Sequence, residues 1–263
     1  MILKPRDFSR GLSRRFIMTV PSFIGSAVLL SAFSFLSISN AVNAAVAVDG
    51  IRFVYPEKAN QITIKMVNKG GTPSLMQLWV DRGDSTVQPQ DSDAPFLVSP
   101  PIVRIDPKNG QSVRITFTGE KLPKDRETLF WLNTLEIPPA TEAQDKSVLQ
   151  IAVRSHLKLF YRPAQLAGEV ADAPNQVDWQ VIPLAEGGYA LRGKNPTPYY
   201  VTYRKLELKM GKQSYNLGSG MIDPFSSETF DIKGMRNHSG KLQLIYLPMT
   251  DYGVGAEKTS SVR

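Results

Sequence analysis

Ser147-Val148-Leu149-Gln150-Ile151-Ala152-Val153-Arg154-Ser155-His156-Leu157-Lys158-Leu159-Phe160-Tyr161 places an apolar side chain at nearly every second position. Leu149, Ile151, Val153, Leu157, Leu159 and Tyr161 share one parity, broken only by Ser155, and Gln150, Arg154, His156 and Lys158 fall on the other. Successive side chains of a strand point to opposite faces, so this period predicts β-structure with one apolar face. At ~3.3 Å per residue the segment would extend about 50 Å, well beyond the usual strand of ~5–6 residues. A central core strand would account for the aliphatic row. So would β-augmentation, in which the backbone pairs with a partner strand while Leu149, Ile151 and Val153 fill that partner's core. At a sheet edge such a strand would invite aggregation.

The same alternation recurs along the chain. In residues 112–118, Val113, Ile115 and Phe117 oppose Arg114, Thr116 and Thr118; residues 61–68 repeat the pattern with Ile62, Ile64 and Met66. Residues 75–80 and 129–137 are further strand candidates. The first strand is irregular: Val46 and Val48 are even, Ile51, Phe53 and Tyr55 odd, and the parity flips at Asp49-Gly50. A bulge or kink there would let one strand serve both sheets of a sandwich, and an ordinary loop between two strands is the alternative. Residues 163–174 are rich in small side chains with weak periodicity. A second β series follows at 177–182, 189–192, 199–210, 228–232 and 241–247. Many short strands separated by turns predict an all-β protein of two sandwiches, residues 45–165 and 166–263.

Ahead of them lies an export signal. Lys4, Arg6, Arg10, Arg14 and Arg15 form a basic start, no charged residue follows from Phe16 to Val48, and the apolar run ends at the small residues Val42, Asn43 and Ala44. That order is the secretory layout, with cleavage expected after Ala44. The run is also long enough for a retained membrane anchor, but its V-x-A ending and internal serines favour cleavage. Ser13-Arg14-Arg15-Phe16 loosely matches twin-arginine export, and the strong apolar run favours the general secretory route.

Composition narrows the function classes. Residues 1–44 hold +4 of the formal net charge of +7, which leaves +3 on the remainder. That excess supplies no basic stripe for nucleic acid. Without cysteine, an exported fold has no disulfide staples. With two histidines besides, it offers little for zinc, and no cofactor is expected. His156 and His238 are the candidate imidazole bases for an enzyme, yet there is no Gly-x-Ser-x-Gly elbow, P-loop or Gly-rich dinucleotide motif. An immunoglobulin-like structural or adhesive surface protein is a reading that fold alone would permit.

Leu149-Gln150-Ile151-Ala152-Val153 followed by Leu157-Lys158-Leu159-Phe160-Tyr161-Arg162-Pro163 resembles the periplasmic pilus (fimbrial) assembly chaperones, the PapD-like family. Pro95-Phe96-Leu97-Val98-Ser99-Pro100-Pro101 with Arg104-Ile105-Asp106-Pro107 resembles the family's central region. Leu122-Pro123-Lys124-Asp125-Arg126-Glu127, Phe130-Trp131-Leu132-Asn133 and Glu136-Ile137-Pro138-Pro139 resemble its next signature. Asn195-Pro196-Thr197-Pro198-Tyr199-Tyr200 and Asp251-Tyr252-Gly253 extend the match in the family's order.

The resemblance implies two immunoglobulin-like domains in an L or boomerang arrangement. It implies a periplasmic chaperone that binds pilin subunits by donor-strand complementation and delivers them to an outer-membrane usher. By motif position, Arg52 and Lys158 would grip a pilin's C-terminal carboxylate. Leu149, Ile151 and Val153 would be the donor side chains, and Glu127, Arg162 and Asp251 an ionic link between the domains. Read alone, each of these charges would be an ordinary solvated one. The short connection at residues 140–147 resembles the short-loop branch, which serves rod-like pili. The free protein could also self-associate to cover its edge strand.

Overall fold

The computed structural model describes residues 45–139, 150–237 and 240–263. The first nine strands are β1 (Val46–Val48), β2 (Arg52–Pro56), β3 (Ile62–Asn68), β4 (Ser74–Asp81), β5 (Phe96–Ser99), β6 (Ile102–Ile105), β7 (Gly110–Phe117), β8 (Thr128–Ile137) and β9 (Val153–Arg162). They form two sheets, β1-β3-β7-β5 and β2-β9-β8-β4-β6, closed over one apolar core. The alternation shows directly in burial: Val113 and Ile115 are fully buried while Arg114 is exposed. Tyr55, Phe96, Phe117 and Phe130 pack ring against ring inside this core, with Tyr55 and Phe96 centroids 5.5 Å apart.

The parity flip at Asp49-Gly50 marks a change of sheet. β1 pairs antiparallel with β3, whereas β2 pairs parallel with β9 in the opposite sheet. Gly50 turns the chain with φ of 128°, a value that L side chains rarely adopt. One edge segment thereby closes both sheets.

The second sandwich contains β10 (Asp178–Pro183), β11 (Tyr189–Lys194), β12 (Val201–Met210), β13 (Gln213–Ile222), β14 (Ser227–Ile232), β15 (Leu242–Thr250), β16 (Gly253–Val254) and β17 (Lys258–Ser261). Its sheets are β10-β11-β14 and β13-β12-β15-β16, with β17 also on β15. Its core is separate and centres on Trp179, Leu191, Tyr203, Leu206 and Leu244. Between β9 and β10 the chain carries only a short 3-10 turn, Ala173–Asn175.

Two elements depart from the sequence expectations. The long strand begins at Val153, and the flanking Gln150, Ile151 and Ala152 are exposed and outside any strand. Leu149 and residues 140–147 lie outside the described residues. The pattern of β13 is hidden by Gly218 and Gly220. Gly220 is small for a packing reason, because a Cβ there would come within 2.2 Å of the Phe230 ring on the facing sheet.

Candidate functional site

β9 meets β8 along its full length, from Val153 opposite Glu136 to Tyr161 opposite Thr128. On its other side β2 covers it only from Lys158 to Arg162. Among the described residues no strand pairs with 153–157 on that side. The strand is therefore central in its second half and an edge in its first. A row of unpaired backbone groups on a strand of this kind is a template for another chain.

The donor residues divide as well. Ile151 is 46 % exposed, next to the start of β9. Val153 is half-buried and, with Ser155 and Leu157, faces Val46, Val48 and Met76 across a cavity of about 180 Å³ between the sheets. Its parity is that of Leu159 and Tyr161, so it lines the open mouth of its own sandwich instead of projecting freely.

Arg52 and Lys158 are register partners at the first position where β2 covers β9, so the bare edge ends at a pair of cations. The Lys158 Nζ lies 5.7 Å from the Trp131 ring centroid and makes no ion pair among the described residues. Burial, and next the positive charge of Arg52, hold Lys158 below the usual lysine range, with Asp223 opposing. The Arg52 side chain is 6 % exposed and lies over the Phe160 ring at 4.0 Å. Its Nη1 reaches Thr202 Oγ1 at 3.5 Å, the outer limit of a hydrogen bond. Its Nε is 3.4 Å from Asp251 Oδ1, close enough for attraction but too poorly aligned to be a hydrogen bond. Burial lowers the Arg52 pKa too, although Glu127 and Asp251 work against it. Two adjacent, incompletely paired cations in a desolvated place favour an incoming anion, which would relieve both effects.

Glu127, Arg162 and Asp251 come together behind this pair. Arg162 donates through Nε to Glu127 Oε1 at 2.7 Å, and through Nη1 and Nη2 to the two Asp251 oxygens at 2.7 and 3.0 Å. Glu127 is 1 % exposed and its second oxygen accepts the Tyr200 backbone N–H at 2.8 Å. Burial pulls the Arg162 pKa down, but the hydrogen bonds to Asp251 and the charge of Glu127 outweigh it and leave it raised. Glu127 and Arg162 belong to the first sandwich and Asp251 to the turn that follows β15 in the second, so the network spans both.

The sequence reading missed that Arg52 also reaches this network through Asp251, and that Phe160 and Tyr200, 5.4 Å apart, pack beside it. A signal existed for Phe160, an aromatic on the otherwise polar parity of its strand. No local signal pointed to Thr202. His156 stacks on Trp131 at 4.3 Å and faces the buried carboxylate of Asp81 at 3.3 Å. Asp81 also accepts from Asn133, whose own oxygen accepts from Arg154. His156 thus sits in a polar cluster that organises the outer face of the sheet. His238 lies outside the described residues.

Comparison with known proteins agrees across the chain. The family profile described as pili and flagellar-assembly chaperone, PapD N-terminal domain, matches residues 45–167, and pili assembly chaperone PapD, C-terminal domain, matches residues 172–260. The probable fimbrial chaperone YadV of Escherichia coli K12 is 36 % identical over 234 residues, covering 88 % of this chain and 93 % of its own. The chaperone protein FimB/FhaD of Bordetella pertussis is 38 % identical over 229 residues, covering 85 % and 91 %. The crystal structure of the YadV chaperone superposes with a TM-score of 0.72 at 33 % identity, covering 83 % of this chain and all of that one. The SafB chaperone of Salmonella enterica, solved in complex with the SafA pilin, gives a TM-score of 0.68 at 25 % identity, covering 83 % and 97 %.

Proposed function

Because this chain belongs to the PapD-like family and is a pilus assembly chaperone, we propose that it acts in the periplasm by lending the bare edge of β9 to an incomplete pilin and holding that pilin's C-terminal carboxylate between Arg52 and Lys158. The observation that carries this reading is the place where the bare edge stops. A client strand paired with residues 153–157 cannot continue past Lys158, because β2 already occupies that side. Its end therefore falls at the cation pair. An end that carries a carboxylate there is a C-terminus, so the client strand runs parallel to β9, as β2 does.

A carboxylate between two fixed cations gains charge-assisted hydrogen bonds, each worth about 1.5–3 kcal/mol. The donor side chains Leu149 and Ile151 would reach the client's groove in alternate register, with Val153 at the mouth of the chaperone's own sandwich where that groove would meet it. Glu127, Arg162 and Asp251 would set the relation of the two sandwiches. Handover to an outer-membrane usher completes the proposed cycle. SafB in complex with SafA supports pilin as the client class.

Co-expression with a pilin from the same bacterium tests the reading. A one-to-one complex recovered from the periplasm is expected, and a pilin truncated at its C-terminal residues should fail to co-purify. Recovery of the protein at the cell surface without pilin would overturn the proposal in favour of an adhesive role.

A further inference from the structure

Glu136 points into the space between the sheets of the first sandwich and is only 7 % exposed. Its Oε1 accepts from Ala45 N at 3.2 Å and Ser74 Oγ at 2.9 Å, and its Oε2 from Val46 N at 3.2 Å. Among the described residues no Lys, Arg or His lies within ion-pair distance of it. A buried carboxylate held by neutral donors alone is costly, because burial of a charge requires a paired charge. Of these donors, a backbone nitrogen becomes a cation if the chain is cut immediately before it, and the Ala45 nitrogen adjoins the expected cleavage position.

The surroundings of Ala45 form a fitted socket. Its carbonyl accepts the Lys69 N–H at 2.7 Å. Gly70 approaches so closely that a Cβ there would fall 2.7 Å from the Ala45 Cβ. The Asn68 side chain pins this loop: its Oδ1 accepts from Gly70 N at 2.8 Å, and its Nδ2 donates to Thr72 O and Ile105 O. Gly70 thus leaves Ala45 its place against this loop, and the Ala45 nitrogen is aimed at a buried carboxylate.

We propose that Glu136 is the receptor for the α-ammonium group of Ala45, created when a signal peptidase cuts after Ala44, and that this cut completes the first sandwich. Hydrolysis of the Ala44–Ala45 peptide bond consumes one water and leaves a carboxylate on Ala44 and an α-ammonium on Ala45. The amide that faced Glu136 becomes a cation at the same place. β1 is then fastened to the opposite sheet by a buried ion pair, in addition to its ladder with β3. Export and folding are coupled, since the uncut chain lacks the charge that Glu136 requires.

Intact mass and N-terminal sequencing of the exported protein should give a chain starting at Ala45; a start at any other residue overturns the proposal. The mature protein is then compared with one retaining Val42–Ala44, each with and without Glu136→Gln. In the native background the extension should lower the folding equilibrium constant roughly ten- to a hundredfold, the worth of a charge-assisted hydrogen bond. In the Glu136→Gln background the loss should shrink to about twofold at most. Equal losses in both backgrounds, or none, overturn the assignment. Should Glu136→Gln fail to fold, selective Nα-acetylation of Ala45 in the native sequence removes the charge alone. Acetylated protein is expected to melt well below the free form, and coincident melting would exclude the ion pair.

Discussion

Arg52 and Lys158 sit side by side where two parallel strands first meet, but the protein spends them differently. Among the described residues Lys158 lacks an ion pair, so Lys158→Ala should leave the melting temperature near wild type. It should weaken pilin capture by about one to two orders of magnitude, from the loss of one charge-assisted hydrogen bond. Arg52 also covers Phe160 and approaches Asp251. Arg52→Ala should therefore weaken capture as much and also lower stability, by about 1–2 kcal/mol for the desolvated cation–π contact. Calorimetric melts alongside titration with a C-terminal pilin peptide separate the two effects. Retained binding in the double variant would remove the anchor role.

The state of Lys158 adds a pH dependence. Burial and Arg52 depress its pKa in the free protein, and a bound carboxylate would raise it. Binding is then linked to proton uptake, so affinity should hold at neutral pH and fall as the pH rises through the depressed value, below the ordinary lysine range. Lys158→Arg should postpone that fall, because guanidinium stays protonated. A peptide affinity that is flat throughout the alkaline range would count against Lys158 as a contact.

At the scale of the strand, the proposed function separates binding from stability along the length of β9. Ile151 is largely exposed and precedes the first paired residue. Ile151→Asp should abolish pilin capture, because it would bury an unpaired carboxylate in the client's groove. The melting temperature of the free protein should stay within a degree or two of wild type. Val153 lines the mouth of its own sandwich, so Val153→Asp should cost both functions. If Ile151→Asp unfolds the free protein, Ile151 belongs to the chaperone's own core. In the second sandwich, Gly220→Ala tests the close approach of β13 to Phe230. Overpacking of this kind costs about 1–3 kcal/mol, and chemical denaturation should show it.

At the scale of the molecule, the two sandwiches keep separate cores and meet through charge. Arg162→Ala would leave Glu127 buried with its cation gone and Asp251 without its two-point partner. Breaking a buried set by removing one member costs about 3–5 kcal/mol. Early proteolysis near residues 163–177 and a lowered melting temperature are expected. Wild-type behaviour in both assays would mean that the network does not hold the sandwiches together.

The chain's local pattern marked most of the long strands of both series, because a side-chain period of two is written in consecutive residues such as Val113 to Phe117, whereas β13, with Gly218 and Gly220 in it, left no such record. It also marked the change of sheet at Gly50, since a flip of parity is local. The split of β9 was decided by tertiary structure. Nothing in residues 153–161 says where β2 begins to cover the strand, since that depends on a segment about a hundred residues earlier docking in parallel register. The meeting of Arg52 with Asp251, and of Ala45 with Glu136, follows the same logic. A charge does not specify its partner through its neighbours in sequence; the packing of the sheets, and of one sandwich on the other, brings the pair together and removes the water between them.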